Sequence, residues 1–290
     1  FTIAWTDGLG FNSSNEDLND LPAGAYQVTV TDQLGCNADT LFVLSAPQPI
    51  GTSAMLSNIN GNNIACAGTT TGSIDLTVTG GTAPFTYLWN DGSTSEDLTN
   101  ASAGNATVTI TDANGCTATG NWTLTEPAPL TAVATALLLP NGYGVSCAGV
   151  SDGSITTNIT GGTTAYSIAW TGPYGFTGTA ANLSGLAAGT YEATVTDANG
   201  CFTTASATIT APTPLNTQLI ASIYNAGVNI SCAGAANGSV VASAQGGVPT
   251  YQFDWSGPGG FTSNDSFLQS LAAGTYDLLD ETDAGTFLTD

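Results

Sequence analysis

Two cysteine phrases alternate along this chain at a near-constant interval, and that interval limits the possible folds more than any other feature. Thr-Asp-x-x-Gly-Cys occupies residues 31–36, 111–116 and 196–201, with its cysteines 80 and 85 residues apart. Cys-Ala-Gly opens at Cys66, Cys147 and Cys232, at intervals of 81 and 85. Trp5, Trp89, Trp170 and Trp255 keep the same beat, as do the Ala-Gly pairs ending at Gly24, Gly104, Gly189 and Gly274. Proline pairs (Pro47/Pro49, Pro127/Pro129, Pro212/Pro214) mark joints. A repeat of this length implies an array of small domains rather than one body. The expected segments are 1–49 (truncated), 50–129, 130–214 and 215–290, the last with an atypical C-terminal end.

Segment 130–214 shows what each repeat folds into. Residues 130–138 and 143–147 read as short strands around the Pro140-Asn141-Gly142 turn. Residues 154–160 alternate, with Ile155, Thr157 and Ile159 on one face. Tyr166-x-Ile168-x-Trp170 is the next strand after the Gly161-Gly162 turn. Leu183–Leu186 follows, and then Tyr191-x-Ala193-x-Val195 alternates with Glu192, Thr194 and Thr196. The Asn199-Gly200 hairpin leads into a closing strand at 202–210. About seven short strands with period-2 alternation predict an all-β fold: tandem immunoglobulin-like β-sandwiches in a rod-like array. At roughly 35–40 Å per segment, four would span on the order of 150 Å.

Aromatics share the alternating face. Phe1-x-Ile3-x-Trp5, Phe85-x-Tyr87-x-Trp89, Tyr166-x-Ile168-x-Trp170 and Tyr251-x-Phe253-x-Trp255 each place three side chains on one side of a strand. Tyr26, Tyr191 and Tyr276, after the Ala-Gly pairs, stand where a tyrosine corner belongs. A sugar-stacking platform is the competing reading, but these rings lie on the Val and Ile face, so core packing is expected.

Charge narrows the function. The 290 residues contain no Lys, Arg or His against 22 acids, a formal charge of −22, where average usage gives roughly 30 Lys plus Arg. Nothing can neutralise a phosphate, which excludes nucleic acid and attraction to anionic lipid. Trypsin-like proteases find no cleavable side chain. No apolar run is long enough to span a bilayer, and residues 1–20 lack the features of a signal peptide. Regular cysteines and Asn-x-Ser/Thr triplets nevertheless suggest an exported protein, and the chain, starting inside a strand, reads as part of something longer.

The phrases also have a fixed order. In segment 130–214 they run Cys147-Ala148-Gly149, Gly153-Ser154-Ile155, Gly161-Gly162-Thr163, Tyr166 to Trp170, Gly172-Pro173-Tyr174-Gly175-Phe176, Leu186-Ala187-Ala188-Gly189-Thr190-Tyr191 and Thr196-Asp197-Ala198-Asn199-Gly200-Cys201. This order resembles the SprB-type repeats of gliding and surface adhesins of the Bacteroidota. The resemblance implies a very long extracellular filament at the cell surface, exported by the type IX system and used for attachment or gliding. Two departures stand out. Ala106 takes the tyrosine position in the second segment. In the fourth, the Gly-Cys phrase becomes 282–286, ending Gly285-Thr286, and alternation breaks at Leu278-Leu279-Asp280-Glu281.

Cysteine pairing has two solutions. Joint-crossing bonds (Cys36–Cys66, Cys116–Cys147, Cys201–Cys232) use all six cysteines. Strand direction favours Cys66–Cys116 and Cys147–Cys201 instead. Strands alternating up and down from the Cys147 loop would return the 199–200 hairpin to the same end. A joint-crossing bond would reach back over a closing strand, roughly 20 Å or more. The pairing within segments is therefore expected, each bond closing about 50 residues and contributing on the order of 4 kcal/mol.

Candidate chemistry is thin. An enzyme would lack the usual bases and cations, and Asp32, Asp112 and Asp197 recur at a turn where an Asx side chain caps its own backbone. Neither catalytic residues nor a cofactor are expected. Weak calcium binding has candidates at Glu16-Asp17/Asp20 and Glu96-Asp97, but no Asp-x-Asp-x-Asp loop. Asp39-Thr40-Leu41 fits a short O-glycosylation pattern. The expected role is a protease-resistant spacer in an adhesive filament, its partners being neighbouring repeats. Two rivals are polysaccharide binding through the loops of Tyr174, Phe176 and Phe261, and self-association of copies into a sheath through strand edges.

Overall fold

The computed structural model describes residues 1–279, and over them the chain is all-β, with helix limited to 3-10 turns. It forms two compact units: residues Phe1–Ile64 with Thr69–Thr125, and Ala65–Gly68 with Glu126 onward.

The first unit contains three antiparallel sheets. Strands β1 (Thr2–Thr6), β2 (Asn12–Ser13), β3 (Gly24–Thr31) and β4 (Asn37–Leu44) form one sheet in the order β2-β1-β3-β4. Strands β5 (Gly51–Leu56), β6 (Gly72–Thr79), β7 (Thr86–Trp89), β8 (Leu98–Ala101), β9 (Gly104–Thr111) and β10 (Thr117–Leu124) form the other two, β5-β6-β8 and β10-β9-β7. Ile64, Ile74, Trp89, Val108, Ile110 and Leu124 pack the core between them.

The second unit repeats this plan. Strands β11 (Thr131–Ala136), β12 (Gly153–Thr160), β13 (Ser167–Thr171), β14 (Thr177–Gly178), β15 (Leu183–Leu186), β16 (Gly189–Thr196) and β17 (Phe202–Ile209) make sheets β11-β12-β15 and β14-β13-β16-β17. Strands β18 (Asn216–Ala221), β19 (Ala236–Gln245), β20 (Asp254–Gly257), β21 (Phe261–Ser263), β22 (Phe267–Ala272) and β23 (Asp277–Leu279) make β18-β19-β22 and β21-β20-β23. The 3+4 arrangement of β11–β17 is an immunoglobulin-like sandwich.

Alternation is the physical cause. Tyr191, Ala193 and Val195 of β16 are buried while Glu192 and Thr194 are exposed, as period 2 requires. Thr and Val fill these strands because a pleated, half-buried surface suits β-branched side chains. Residues 1–49 contribute a single sheet, so its inward positions stay open: Phe42 is 56% and Leu44 38% exposed, against 8% and 2% for Ala207 and Ile209 at the same register.

One expected strand is absent. Residues 143–147 are a loop folded over the end of β17, where the N–H groups of Gly144 and Val145 both donate to Thr210 O at 2.9 and 3.1 Å. Val145 fills the core from this loop and is fully buried. Asn63 and Ile64 do the same to Thr125 O at 2.9 and 3.0 Å. The 282–286 phrase and the Asp280-Glu281 end of the broken alternation lie outside the described residues.

Candidate functional site

Every signature tryptophan ties its indole N–H to a carbonyl further along the chain. Trp5 donates to Asn15 O at 3.1 Å, Trp89 to Ser95 O at 2.9 Å, Trp170 to Ala180 O at 3.0 Å and Trp255 to Asp265 O at 2.9 Å. Trp89, Trp170 and Trp255 are buried and Trp5 is half-buried, so the polar end of each ring is satisfied where its apolar body packs.

The tyrosines bond back along the backbone. Tyr26 Oη donates to Pro22 O at 2.9 Å, Tyr191 Oη to Ala187 O at 2.9 Å and Tyr276 Oη to Ala272 O at 3.2 Å. Burial pushes the Tyr191 hydroxyl above its ordinary pKa. Phe11, Phe176 and Phe261 each meet the corner tyrosine edge-on, at 5.6, 5.3 and 5.3 Å between ring centres. Phe176 and Phe261 are half-buried in these pairs, leaving Tyr174, 94% exposed, as the loop's one open ring. Gly172 makes room for this packing: a Cβ there would lie 2.5 Å from the Tyr191 ring.

The recurring aspartates build the hairpins. Asp197 Oδ1 accepts the N–H of Asn199 and of Cys201, both at 2.9 Å, and Oδ2 accepts Thr163 N–H at 2.8 Å. Asp112 does likewise with Asn114 and Cys116, both at 2.9 Å, and with Thr82 at 3.1 Å. Asp32 takes Leu34 and Cys36 at 2.8 and 2.9 Å. Burial alone would raise the Asp112 pKa, but the N–H groups of Cys116, Thr82 and Asn114 outweigh it and hold it low. The third contact escapes a local reading of the turn, because Thr163 and Asp197 are 34 residues apart. The recurring Gly-Gly-Thr phrase was the available signal.

Other carboxylates are also bound to backbone. Asp7 Oδ1 accepts the N–H groups of Leu9, Gly10 and Phe11 at 2.8, 3.0 and 2.9 Å, Leu9 above all lowering its pKa. Ser146, through hydroxyl and N–H, lowers that of Asp152. Of the two acidic clusters, Asp97 accepts Leu76 N–H at 3.0 Å. Among the described residues, no three acids or cysteines converge in a group fit to hold a metal.

The disulfide follows neither expected scheme. Cys66 is bonded to Cys201, 135 residues away, with Cα atoms 5.7 Å apart, and both belong to the second unit. This corrects the pairings Cys66–Cys116 and Cys147–Cys201, since Cys66 and Cys201 bond each other and Cys116 is an exposed thiol. The reason lies in the short strand β14, which the up-and-down count from the Cys147 loop passed over. It reverses the chain once more, so β15 runs antiparallel to β12 and the Cys201 hairpin lands at the opposite end. The contact of Gly144 and Val145 with Thr210 places the Cys147 loop beyond the far end of β17, whose eight residues span roughly 27 Å from the Cys201 hairpin. In the first unit the contact of Asn63 and Ile64 with Thr125 likewise sets those residues at the other end of β10 from the Cys116 hairpin. The Cys66 loop instead meets the Gly-Cys hairpin at 196–201. Asn199 Nδ2 adds a hydrogen bond to Ala65 O at 2.8 Å.

Family comparison agrees with the period. The SprB repeat model matches residues 58–94, 145–175 and 225–260, each running from before a Cys-Ala-Gly loop to beyond a signature tryptophan. The chain carries SprB repeats. Similar solved structures include a tetra-tandem repeat from the extending region of a large adhesion protein, at 17% identity and TM-score 0.31, covering 100% of this chain and 89% of that one. The N-terminal eight Ig domains of Down Syndrome Cell Adhesion Molecule align at 12% identity and TM-score 0.28, covering 99% of this chain and 63% of that one. A Bacteroides ovatus SGBP-B in complex with a mixed-linkage heptasaccharide aligns at 13% identity and TM-score 0.17, covering 97% and 82%. No curated protein sequence matches the chain. Among the described residues, no helix is long and apolar enough to cross a membrane.

Proposed function

We propose that these SprB repeats form a structural segment of a long adhesive filament outside the cell, serving attachment or gliding chiefly as a protease-resistant spacer. In this reading the repeat boundaries fall at 49/50, 129/130 and 214/215, and the neighbouring repeats are the main partners. The observation that carries it is where the polar side chains go. The recurrent Trp, Tyr and Asp groups hydrogen-bond backbone of the same sandwich, an investment in holding a shape rather than in presenting chemistry. The absence of Lys and Arg from the whole chain supports resistance to trypsin-like proteases.

Polysaccharide binding is the second reading, and the 94% exposure of Tyr174 favours it. A glycan array probed with the whole chain separates the two. The spacer reading expects no specific binding, together with survival of the sandwiches under a broad-specificity protease. Glycan binding lost in Tyr174→Ala would transfer the function to the loop.

A further inference from the structure

We infer that the hairpin at 111–116 is a second receptor for a Cys-Ala-Gly loop of an SprB repeat, held by a hydrogen bond from Asn114 and a disulfide to Cys116. The inference stands on hairpin geometry and does not depend on an adhesive role.

The occupied receptor is the hairpin at 196–201. Two side chains grip the Cys66 loop there: Asn199 Nδ2 donates to Ala65 O at 2.8 Å, and the Cys201 sulfur, bonded to Cys66, lies 3.4 Å from that same oxygen. Both are aimed from behind. Asn199 Nδ2 also donates to Thr163 Oγ1 at 3.0 Å, and Asp197 Oδ1 accepts Cys201 N–H at 2.9 Å.

The hairpin at 111–116 has the same six residues and the same supports. Asn114 Nδ2 donates to Thr82 Oγ1 at 3.0 Å, and Asp112 Oδ1 accepts the N–H of Cys116 at 2.9 Å. What differs is the cover. Asn199 and Cys201 are half-buried, whereas Asn114 and Cys116 are exposed. A carboxamide and a thiol fixed in the geometry that grips a Cys-Ala-Gly loop elsewhere in the chain are preorganised for that ligand, so little ordering remains to oppose binding. The hairpin at 31–36 is a built-in contrast. Asp32 supports Cys36 in the same way, but Leu34 replaces the asparagine and cannot donate.

Bond formation converts two thiols to one disulfide, releasing two protons and passing two electrons to a disulfide oxidant, which leaves as two thiols. In exchange form, the Cys116 thiolate attacks the loop's sulfur in a mixed disulfide, a new S–S bond forms, and the departing thiolate carries away the electron pair.

The test uses the whole chain and a peptide of residues 63–69 carrying its cysteine as a mixed disulfide with thionitrobenzoate. Release of the coloured thiolate gives rates, and mass spectrometry assigns them among the exposed cysteines Cys36, Cys116 and Cys232. We expect Cys116 to capture the peptide about tenfold faster than the other two, the scale of one hydrogen bond. Asn114→Leu should bring it to the Cys36 rate while leaving its reaction with a small uncharged disulfide unchanged. Equal rates at the three cysteines would overturn the inference. So would a preference that survives Asn114→Leu or a scrambled peptide.

Discussion

Trp122 faces Ala106 across β9 and β10 at the register where Ala207 faces Tyr191 across β16 and β17. The large and small residues have exchanged strands. Trp122 packs 6.1 Å from Trp89, and Gly120 leaves room for it, since a Cβ there would fall 2.2 Å from the indole. The missing tyrosine of the second segment is thus answered by a tryptophan on its neighbour, conserving core volume.

That exchange predicts strong coupling. Trp122→Ala should cost about 3 kcal/mol through the cavity it opens, and Ala106→Tyr about 1–3 kcal/mol through overpacking. The double variant should recover more than 1 kcal/mol of their sum. Denaturant unfolding followed through Trp89 fluorescence measures the cycle; simple additivity would contradict the exchange.

Tyr191→Phe removes the hydroxyl that donates to Ala187 O while keeping the ring against Phe176. The expected loss is about 1 kcal/mol. Tyr174→Ala, at an exposed ring, should change stability by no more than about 0.5 kcal/mol. Equal losses in the two would remove the corner's structural role.

Asp112 sets a pH dependence. Its folded pKa lies below the ordinary value of 3.8, so its contribution to stability is complete above that value. The contribution is lost as pH falls through the lower folded value. Carboxyl NMR titration of Asp112 should give a midpoint below 3.8, with the Cys116 amide resonance moving in step. A midpoint at or above 3.8 would mean that the hairpin N–H groups do not stabilise the carboxylate.

Reducing the chain opens the 135-residue loop closed by Cys66–Cys201, worth about 5 kcal/mol in the chain-entropy model. Cys66→Ser should lower the melting temperature of the second unit in oxidising buffer and remove most of its sensitivity to reductant. A variant as reductant-sensitive as the parent would show that another bond is responsible.

Much of this fold was legible in the sequence because period-2 alternation and an 80–85 residue beat both act locally. Tyr191-x-Ala193-x-Val195 declares its inward face without any knowledge of the opposite sheet. The aspartate caps were readable for the same reason, as their acceptors serve residues two and four positions on. Cysteine pairing depends on which end of a sandwich a loop occupies. Residues 143–147 carry enough apolar character to pass for a strand, but two N–H groups converge on Thr210 O and fold them into a loop instead. The cysteine ends were misplaced for a different reason: the two-residue strand β14 is too short to show alternation, and passing over it reversed the expected direction of β15 and β16. The Ala106–Trp122 exchange was hidden similarly, since only strand register brings the two residues face to face.

Non-reducing peptide mapping with an Asp- or Glu-directed protease tests most directly the claim that the Cys66 loop is linked to the Gly-Cys hairpin at 196–201. The account predicts one linked peptide pair containing Cys66 and Cys201. Recovery of Cys66 with Cys116, or of Cys147 with Cys201, would contradict it.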